Sequence, residues 1–549
     1  MSVFSQDEQG STMHAVSRRG FLALSGGGVL MLVASCAAGS GESEGKKTSQ
    51  KTDTLTFAIP SYPGGWDQDF IGFDLVALSL YKNVMLYLVD YSVANADGGR
   101  IQNTQDIVPS FAESFTSDDA GKVWTLKLKK GLKFPSGNEL TADDVKWSKD
   151  RAFAAQANVA GIYRLIGLTK PEQVTVVDSH TVQFEQSFPS ALSPQIQAIC
   201  LYVYDSVEAK KHATTDDPWA KDWIGKNPQD GGYYTVESSV QDQQVVLKAN
   251  PAYTGADPAH ISTIRMPVVS SAANLRLQLQ NGDVDVAMGL SRRDVKDLKG
   301  EKGIEVISSP NNEMVAIEMS VVTAPFDDVR VRKAFAHAMP YDQIIKNVFD
   351  GDARPVKSPV PLEMPGYSDQ GYPYEYDLDK AKALLAEAGK TSIQTELAFA
   401  ANDDEQQQLA VLVANELKKI GVTVKLSPLD PATFAERREK KTIPLQIAYG
   451  QQWVNDVEYL LSTSLTKGAY LNYSGYSNPE IEQIFERSHA TADEGQRMTM
   501  WKRVQEILAQ DVPWLVLCQP NFNLPVRAGV TGWVQPVDGL FRLRYLSTK

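Results

Sequence analysis

The segment Tyr449-Gly450-Gln451-Gln452-Trp453-Val454-Asn455-Asp456 gathers binding chemistry into eight residues. A carboxylate stripped of part of its water offers charge-assisted hydrogen bonds to an ammonium group. An indole three residues earlier supplies an apolar wall and cation–π attraction for the same cation. Tyr449, Gln451, Trp453, Asn455 and Asp456 are therefore candidate ligand contacts. The plainer reading of the same residues is a capped loop with a packed tryptophan. Tyr62 and Trp66, in the loop Tyr62-Pro63-Gly64-Gly65-Trp66-Asp67, form a second candidate contact pair.

A different chemistry sits at the N-terminus. Ser17-Arg18-Arg19-Gly20-Phe21-Leu22 precedes an apolar run that ends at Val33-Ala34-Ser35-Cys36. The run is shorter than the ~20 residues a membrane helix needs, and Gly26-Gly27-Gly28 weakens it as a helix. The pattern resembles a twin-arginine export signal, carried by Arg18 and Arg19, joined to a bacterial lipobox. The resemblance implies cleavage before Cys36 and thioether lipidation of Cys36. Residues 37–53 are small and polar, too poor in apolar surface to fold, and read as a flexible tether. These features imply an extracytoplasmic protein, in the periplasm or on the outer face of the cell membrane, held by lipid alone.

Composition and motifs exclude several classes. Hydrophobic residues are 43 % and charged residues 22 %, ordinary for a globular protein, and no later run of 18 apolar residues would make a permease or channel. A net charge of −13 without a basic stripe argues against nucleic acid. Nine Trp and 21 Tyr suit a cleft that contacts peptide or carbohydrate. The six histidines form no H-E-x-x-H, and none stands beside a G-x-S-x-G serine. No phosphate loop is present, so this is not an ATPase. Their scatter also argues against a nickel site, and no metal or cofactor is assigned. Asp283 and Asp285 lack the spacing of a calcium loop and read as a turn. An exported hydrolase with an Asp/Glu pair is the rival class. Cys36 belongs to the lipobox, which leaves Cys200 and Cys518; export permits a disulfide, and their apolar neighbours equally suit two buried thiols.

The elements that must position the candidate residues alternate between strand and helix. Leu55–Ile59, Val123–Leu128, Thr181–Phe184, Val284–Ala287, Val422–Leu426 and Trp514–Leu517 read as strands. Helices are expected from Thr141, with Asp144 as capping partner, over Asn274–Gln280 to Gly282, and from Asp327 to the break at Pro340. Further helices cover 341–349, 381–388, 409–420, a stretch from Asn478-Pro479, and 493–510. The class is α/β.

The order of segments resembles the family 5 solute-binding proteins of ABC importers, the oligopeptide-, dipeptide- and nickel-binding group, over about 54–549. Six stretches carry it: Pro109–Phe115, Trp124–Phe134, Ser136–Val145, Asn281–Asp285, Pro325–Ala334 and Tyr376–Gly389. The resemblance implies a two-lobed periplasmic-binding-protein-like fold (type II, large cluster) with an extra domain inserted in lobe I. Transferred here, lobe I comprises 54–85, 206–312 and 513–549, the insert 86–205 and lobe II 313–512, after a signal over 1–35 and the lipidated tether over 36–53. It further implies a W-x-x-D facing the cleft, with Asp456 pairing the α-ammonium of a peptide beside Trp453. The implied partners are a small peptide or similar solute, and an ABC permease with its cytoplasmic ATPases, served by a monomer. An oligosaccharide or another cationic or metal-complex solute is the alternative cargo. One departure matters. The dipeptide-binding subgroup places an Arg for the ligand carboxylate in the loop matching Ala400–Glu405, and here that loop reads Ala-Ala-Asn-Asp-Asp-Glu. A short peptide's C-terminus would meet acid there, which argues against a strict dipeptide binder.

Overall fold

The computed structural model describes residues 53–70, 74–96, 99–253, 257–450, 452–489, 491 and 493–549. Arg18, Arg19, Cys36 and Gln451 lie outside them. The tether expected over 36–53 has one described residue, Asp53, whose carbonyl accepts from the Thr263 N–H at 2.9 Å.

The first strand, β1 (Thr54–Ala58), buries Leu55 and Phe57 on one face, while the other runs from the exposed Thr54 through the half-buried Thr56 to the buried Ala58. Helix α1 (Leu75–Val84) follows, its N-terminus satisfied by Asp74, which accepts from the Val76 and Ala77 N–H groups. Residues 86–205 follow and share one apolar core with the strands of the first lobe. They hold a four-stranded antiparallel sheet (Ala112–Ser117, Val123–Leu128, Thr181–Glu185 and Val174–Asp178) with helices α2 (Ala142–Ala154) and α3 (Asn158–Arg164). The expected Thr141/Asp144 pair opens α2: the Asp144 carboxylate accepts from the Thr141 N–H at 2.8 Å.

The chain returns as β2 (Tyr234–Val240), β3 (Gln244–Ala249), β4 (Thr263–Pro267), β5 (Val286–Ala287), helix α4 (Arg292–Leu298) and β6 (Ile304–Ser309). It crosses at Pro310–Glu313 into β7 (Met314–Met319), α5 (Val329–His337), β8 (Ala353–Arg354), β9 (Ile393–Ala400), α6 (Asp404–Lys418), β10 (Val422–Leu429), α7 (Pro431–Glu439), β11 (Leu445–Gly450), α8 (Val457–Ser464) and β12 (Trp514–Pro520). At Asn521 it crosses back into β13 (Phe522–Arg527). Two sheets result, with strand orders β2-β3-β4-β1-β5-β13-β6 and β8-β12-β7-β11-β9-β10. Each has its own apolar core. This is the two-lobed α/β architecture, joined by two crossing segments.

Several expectations shift by a few residues. Trp514–Pro520 pairs with β7 in the second sheet, so the chain recrosses at Asn521, later than the boundary drawn at 513. Of the strand expected over 284–287 only Val286 and Ala287 pair with β1, because Asp285 turns its carboxylate back to accept from the Thr56 N–H at 2.8 Å. Asp328 stands outside α5 as its cap, accepting from the Arg330 N–H. Cys200 and Cys518 are both free and buried. No helix among the described residues is long and apolar enough to cross a membrane.

The first lobe buries charge as well as apolar surface. Arg542 is sealed against Asp90 at 2.8 Å and Asp538 at 2.7 Å, with Lys82 on the same Asp90 oxygen, Oδ1, at 3.2 Å. Burial pulls the Lys82 ammonium down to about 8, against the pull of Asp90. Such a cluster holds only while every charge keeps its partner.

Candidate functional site

The register of the second sheet builds the floor of a cavity. Met314, Ala316 and Glu318 alternate on one face of β7. Opposite them on β11 stand Gly450, Ala448 and Gln446. On the other flank, β12 places Val516 beside Ala316 and Trp514 beside Glu318. The floor is a ladder of small and apolar rungs ending in one polar rung, Gln446–Glu318–Trp514. Four residues of strand separate that rung from Met314–Gly450, about 13 Å at the usual rise. Tyr459, Leu460 and Ser464 of α8 roof the space, and Leu75 of α1 reaches in from the first lobe. The cavity volume is about 280 Å³, and among the described residues its charged lining residues are Glu318 and Arg438.

The candidate segment meets this cavity unevenly. Tyr449 lines it, and its hydroxyl donates to Glu405 Oε1 at 2.9 Å. Gln452 and Trp453 also line it. Trp453 is half-buried and belongs in addition to a second cavity, of about 460 Å³, walled by α3 and Tyr470. The indole thus borders both chambers, the second of which lies between α3 and the Tyr470 segment. Tyr459 of the first chamber and Tyr470 of the second meet hydroxyl to hydroxyl at 3.4 Å.

Asn455 points elsewhere. Its amide accepts from Asn312 Nδ2 at 2.9 Å and donates to Thr104 Oγ1 at 3.2 Å, which ties the loop to a crossing segment and to the strand Gly99–Pro109. Asp456 caps α8, accepting from the Glu458 N–H at 2.7 Å, and is not among the residues lining the cavity. Burial, reinforced by the neighbouring Glu458 charge, pushes its carboxyl up to about 6. The plainer role, a capped loop, is therefore present in the geometry, and the buried carboxyl is left short of positive charge. Trp66 is core, packed against Tyr81, and Tyr62 is half-buried with its hydroxyl bonded to Ser239; neither lines the cavity.

Among the lining residues that the sequence reading did not single out are Glu318, Arg438, Tyr473 and Trp514. The first and last come together only through pairing across 196 positions of chain, which no local pattern encodes. A carboxylate inside an otherwise apolar strand, Val315-Ala316-Ile317-Glu318-Met319, was the available signal. The acidic loop also differs from expectation. Arg292 of α4 reaches Glu405 at 2.8 Å and Asp352 at 3.6 Å, so a cation from the first lobe stands there after all, already engaged. Burial raises the neighbouring Glu313 carboxyl to about 7, Arg292 opposing. Among the described residues no group of three or more His, Cys, Asp or Glu is arranged to hold a metal ion.

Residues 106–472 match the family model described as bacterial extracellular solute-binding proteins, family 5 middle. The chain belongs to the family 5 bacterial extracellular solute-binding proteins. Among the relatives of this family 5 protein, a probable D,D-dipeptide-binding periplasmic protein, DdpA, of Escherichia coli K12 is 27 % identical over 456 residues, 81 % of this chain and 85 % of the relative. The dipeptide-binding protein of the same organism is 26 % identical over 521 residues, 88 % and 93 % of the two chains. The fold matches that of the periplasmic binding protein DppA from Helicobacter pylori in complex with the peptide STSA, at a TM-score of 0.79 and 22 % identity, over 92 % of this chain and 99 % of that one. It also matches the oligopeptide-binding protein AppA of Bacillus subtilis in complex with a nonapeptide, at a TM-score of 0.74 and 20 % identity, over 91 % and 99 %.

Proposed function

We propose that this protein is the extracytoplasmic, lipid-anchored receptor of an ABC importer, capturing a peptide or peptide-like solute between its lobes as a monomer. It would deliver that solute to a membrane permease driven by cytoplasmic ATPases. The observation that carries the reading is the cavity on the second sheet, with Leu75 of the first lobe in its wall and Trp453 dividing it from a second chamber. A largely apolar concave space with few polar groups is what a captured small ligand requires. Its ladder of about 13 Å matches three to four extended residues. Trp453 and Tyr449 would form the wall, and Asp456 would receive the ligand ammonium, once closure or a small shift of the loop brings them together. The names of the relatives point to peptides. The acidic loop over 400–405, with Arg292 already held by Glu405, favours peptides longer than two residues. The protein would bind without turnover. Native mass spectrometry of ligand released from the purified protein tests this directly. Recovery of short peptides, returned unchanged after prolonged incubation, is the expected result. Recovery of sugars only, or progressive cleavage of added peptides, would overturn it.

A further inference from the structure

The end of the cavity farthest from Gly450 is built for charge. Gln446, Glu318 and Trp514 stand abreast on three adjacent strands. Gln446 Nε2 donates to Glu318 Oε2, and both side chains are more than nine-tenths buried. Arg438, one residue before the end of α7, lies over them with its guanidinium 4.2 Å from the Tyr473 ring centre and 5.2 Å from that of Phe434. Among the described residues no carboxylate approaches it within ion-pair distance, and it donates no hydrogen bond to them. Its Nε is buried without an acceptor, and so is the indole Nε1 of Trp514. Two buried donors therefore border the cavity without a hydrogen-bond acceptor, beside a Gln446 Oε1 that is likewise buried and unpartnered and a Glu318 charge that attracts the guanidinium, where native structures rarely leave such groups unmatched.

The guanidinium lies over the Tyr473 ring with its Nε sealed, which leaves its terminal nitrogens to meet a planar group with two oxygens. A ligand cation would be repelled by Arg438 and would find Glu318 already accepting from Gln446. Burial also holds the Glu318 carboxyl above its usual range, which weakens its repulsion of a ligand anion.

We propose that Arg438, assisted by Trp514, forms a subsite that receives a carboxylate of the bound solute, at the far end of the ladder from Trp453. This rests on reading the cavity as the solute site. The carboxylate can be a terminal group or an acidic side chain, and the two sources are separable. The probes are tetra-alanine, its C-terminal amide, and two amidated tetrapeptides, Ala-Ala-Glu-Ala and Ala-Ala-Gln-Ala, each titrated by calorimetry into the full-length protein, Arg438→Gln and Arg438→Lys. One charge-assisted bidentate contact corresponds to roughly a ten- to hundred-fold preference for the acid member of a pair. If the terminal group is used, tetra-alanine exceeds its amide by that factor. If a side chain is used, the Glu peptide exceeds the Gln peptide instead. Arg438→Gln is expected to abolish the preference and Arg438→Lys to keep part of it, with unchanged thermal unfolding in both. Equal affinities within both pairs, or a preference that survives Arg438→Gln, would overturn the subsite while leaving a peptide receptor intact. No binding of any probe, together with no peptide released from the purified protein, would remove the receptor reading and the subsite with it.

Discussion

Replacing Asp456 with asparagine should make the unliganded protein more stable at neutral pH and a poorer receptor at the same time. The folded protein holds this carboxyl at about 6 against an ordinary 3.8, through burial first and the Glu458 charge second, with Arg497 offsetting part. A raised carboxyl binds its proton more tightly in the folded state than in the unfolded one. Stability from this group is then fully present below pH 4 and is lost as pH rises through 6. The free energy at stake is at most about 3 kcal/mol. Asparagine is an equally good helix cap, so it can keep the bond from the Glu458 N–H while carrying no charge. Calorimetric unfolding of Asp456→Asn and wild type should coincide near pH 4 and diverge by roughly 1–3 kcal/mol in favour of the variant at pH 7.5. Binding should move the other way. If a ligand ammonium meets the ionised carboxylate, wild-type affinity for tetra-alanine rises about tenfold from pH 5 to 7, following the ionised fraction. The variant should lack that dependence and bind roughly ten- to hundred-fold more weakly at pH 7. A variant less stable than wild type at pH 7.5, or a flat difference across pH, would refute the electrostatic argument. Wild-type affinity in a well-folded variant would show that Asp456 caps α8 and nothing more.

Trp453→Ala joins the two chambers and removes their shared wall, so titration should show an affinity loss of about 2 kcal/mol; unchanged binding would place the solute elsewhere. Arg542→Ala leaves Asp90 and Asp538 buried together, and denaturant titration should register a loss of about 3–5 kcal/mol, whereas a loss under 1 kcal/mol would mean water enters the cluster. Gly532→Ala would set a Cβ 1.9 Å from the Tyr545 carbonyl oxygen at a φ of +81°, so limited proteolysis should free the C-terminal segment; a protease-resistant variant would contradict the packing there. Cys36→Ala should fold normally and shift from the membrane pellet to the soluble fraction; persistent pelleting would argue against a lipid anchor at Cys36.

The α/β class and most helix ends were legible because they are written locally. Asp328 and Asp493 each accept a backbone N–H two or three residues on, and Pro340 and Gly389 stop helices where the dihedral and donor rules say they must, whereas the Asp403 cap starts α6 at Asp404, ahead of the helix expected from 409. The strand over Val284–Ala287 was overread because its apolar pattern does not reveal that Asp285 is spent on the Thr56 N–H. The site was legible in part for the same reason. Tyr449 and Trp453 announce themselves as large rings beside Gly450; both border the cavity, although the Tyr449 ring turns to Phe349 and Glu405 on the other face of its strand. Arg438 and Glu318 do not, since an arginine near a helix end and a glutamate in a strand are each ordinary alone. They acquire meaning only when the register sets Glu318 between Gln446 and Trp514 and leaves the Arg438 edge without an acceptor.

That register also explains why the two charged ends of the proposed site can act independently. Asp456 sits at the start of α8, beyond Trp453, while Arg438 reaches in from the last turn of α7 toward the polar rung. The ladder between them presents only Met314, Ala316, Ala448 and Val516, which offer contact area without hydrogen-bonding preference. A floor of that kind selects length and end groups and is indifferent to most side chains between. The pairing of β7 with β11 and β12 holds the second lobe together and, on the proposed reading, would also set the distance at which a solute must carry its charges.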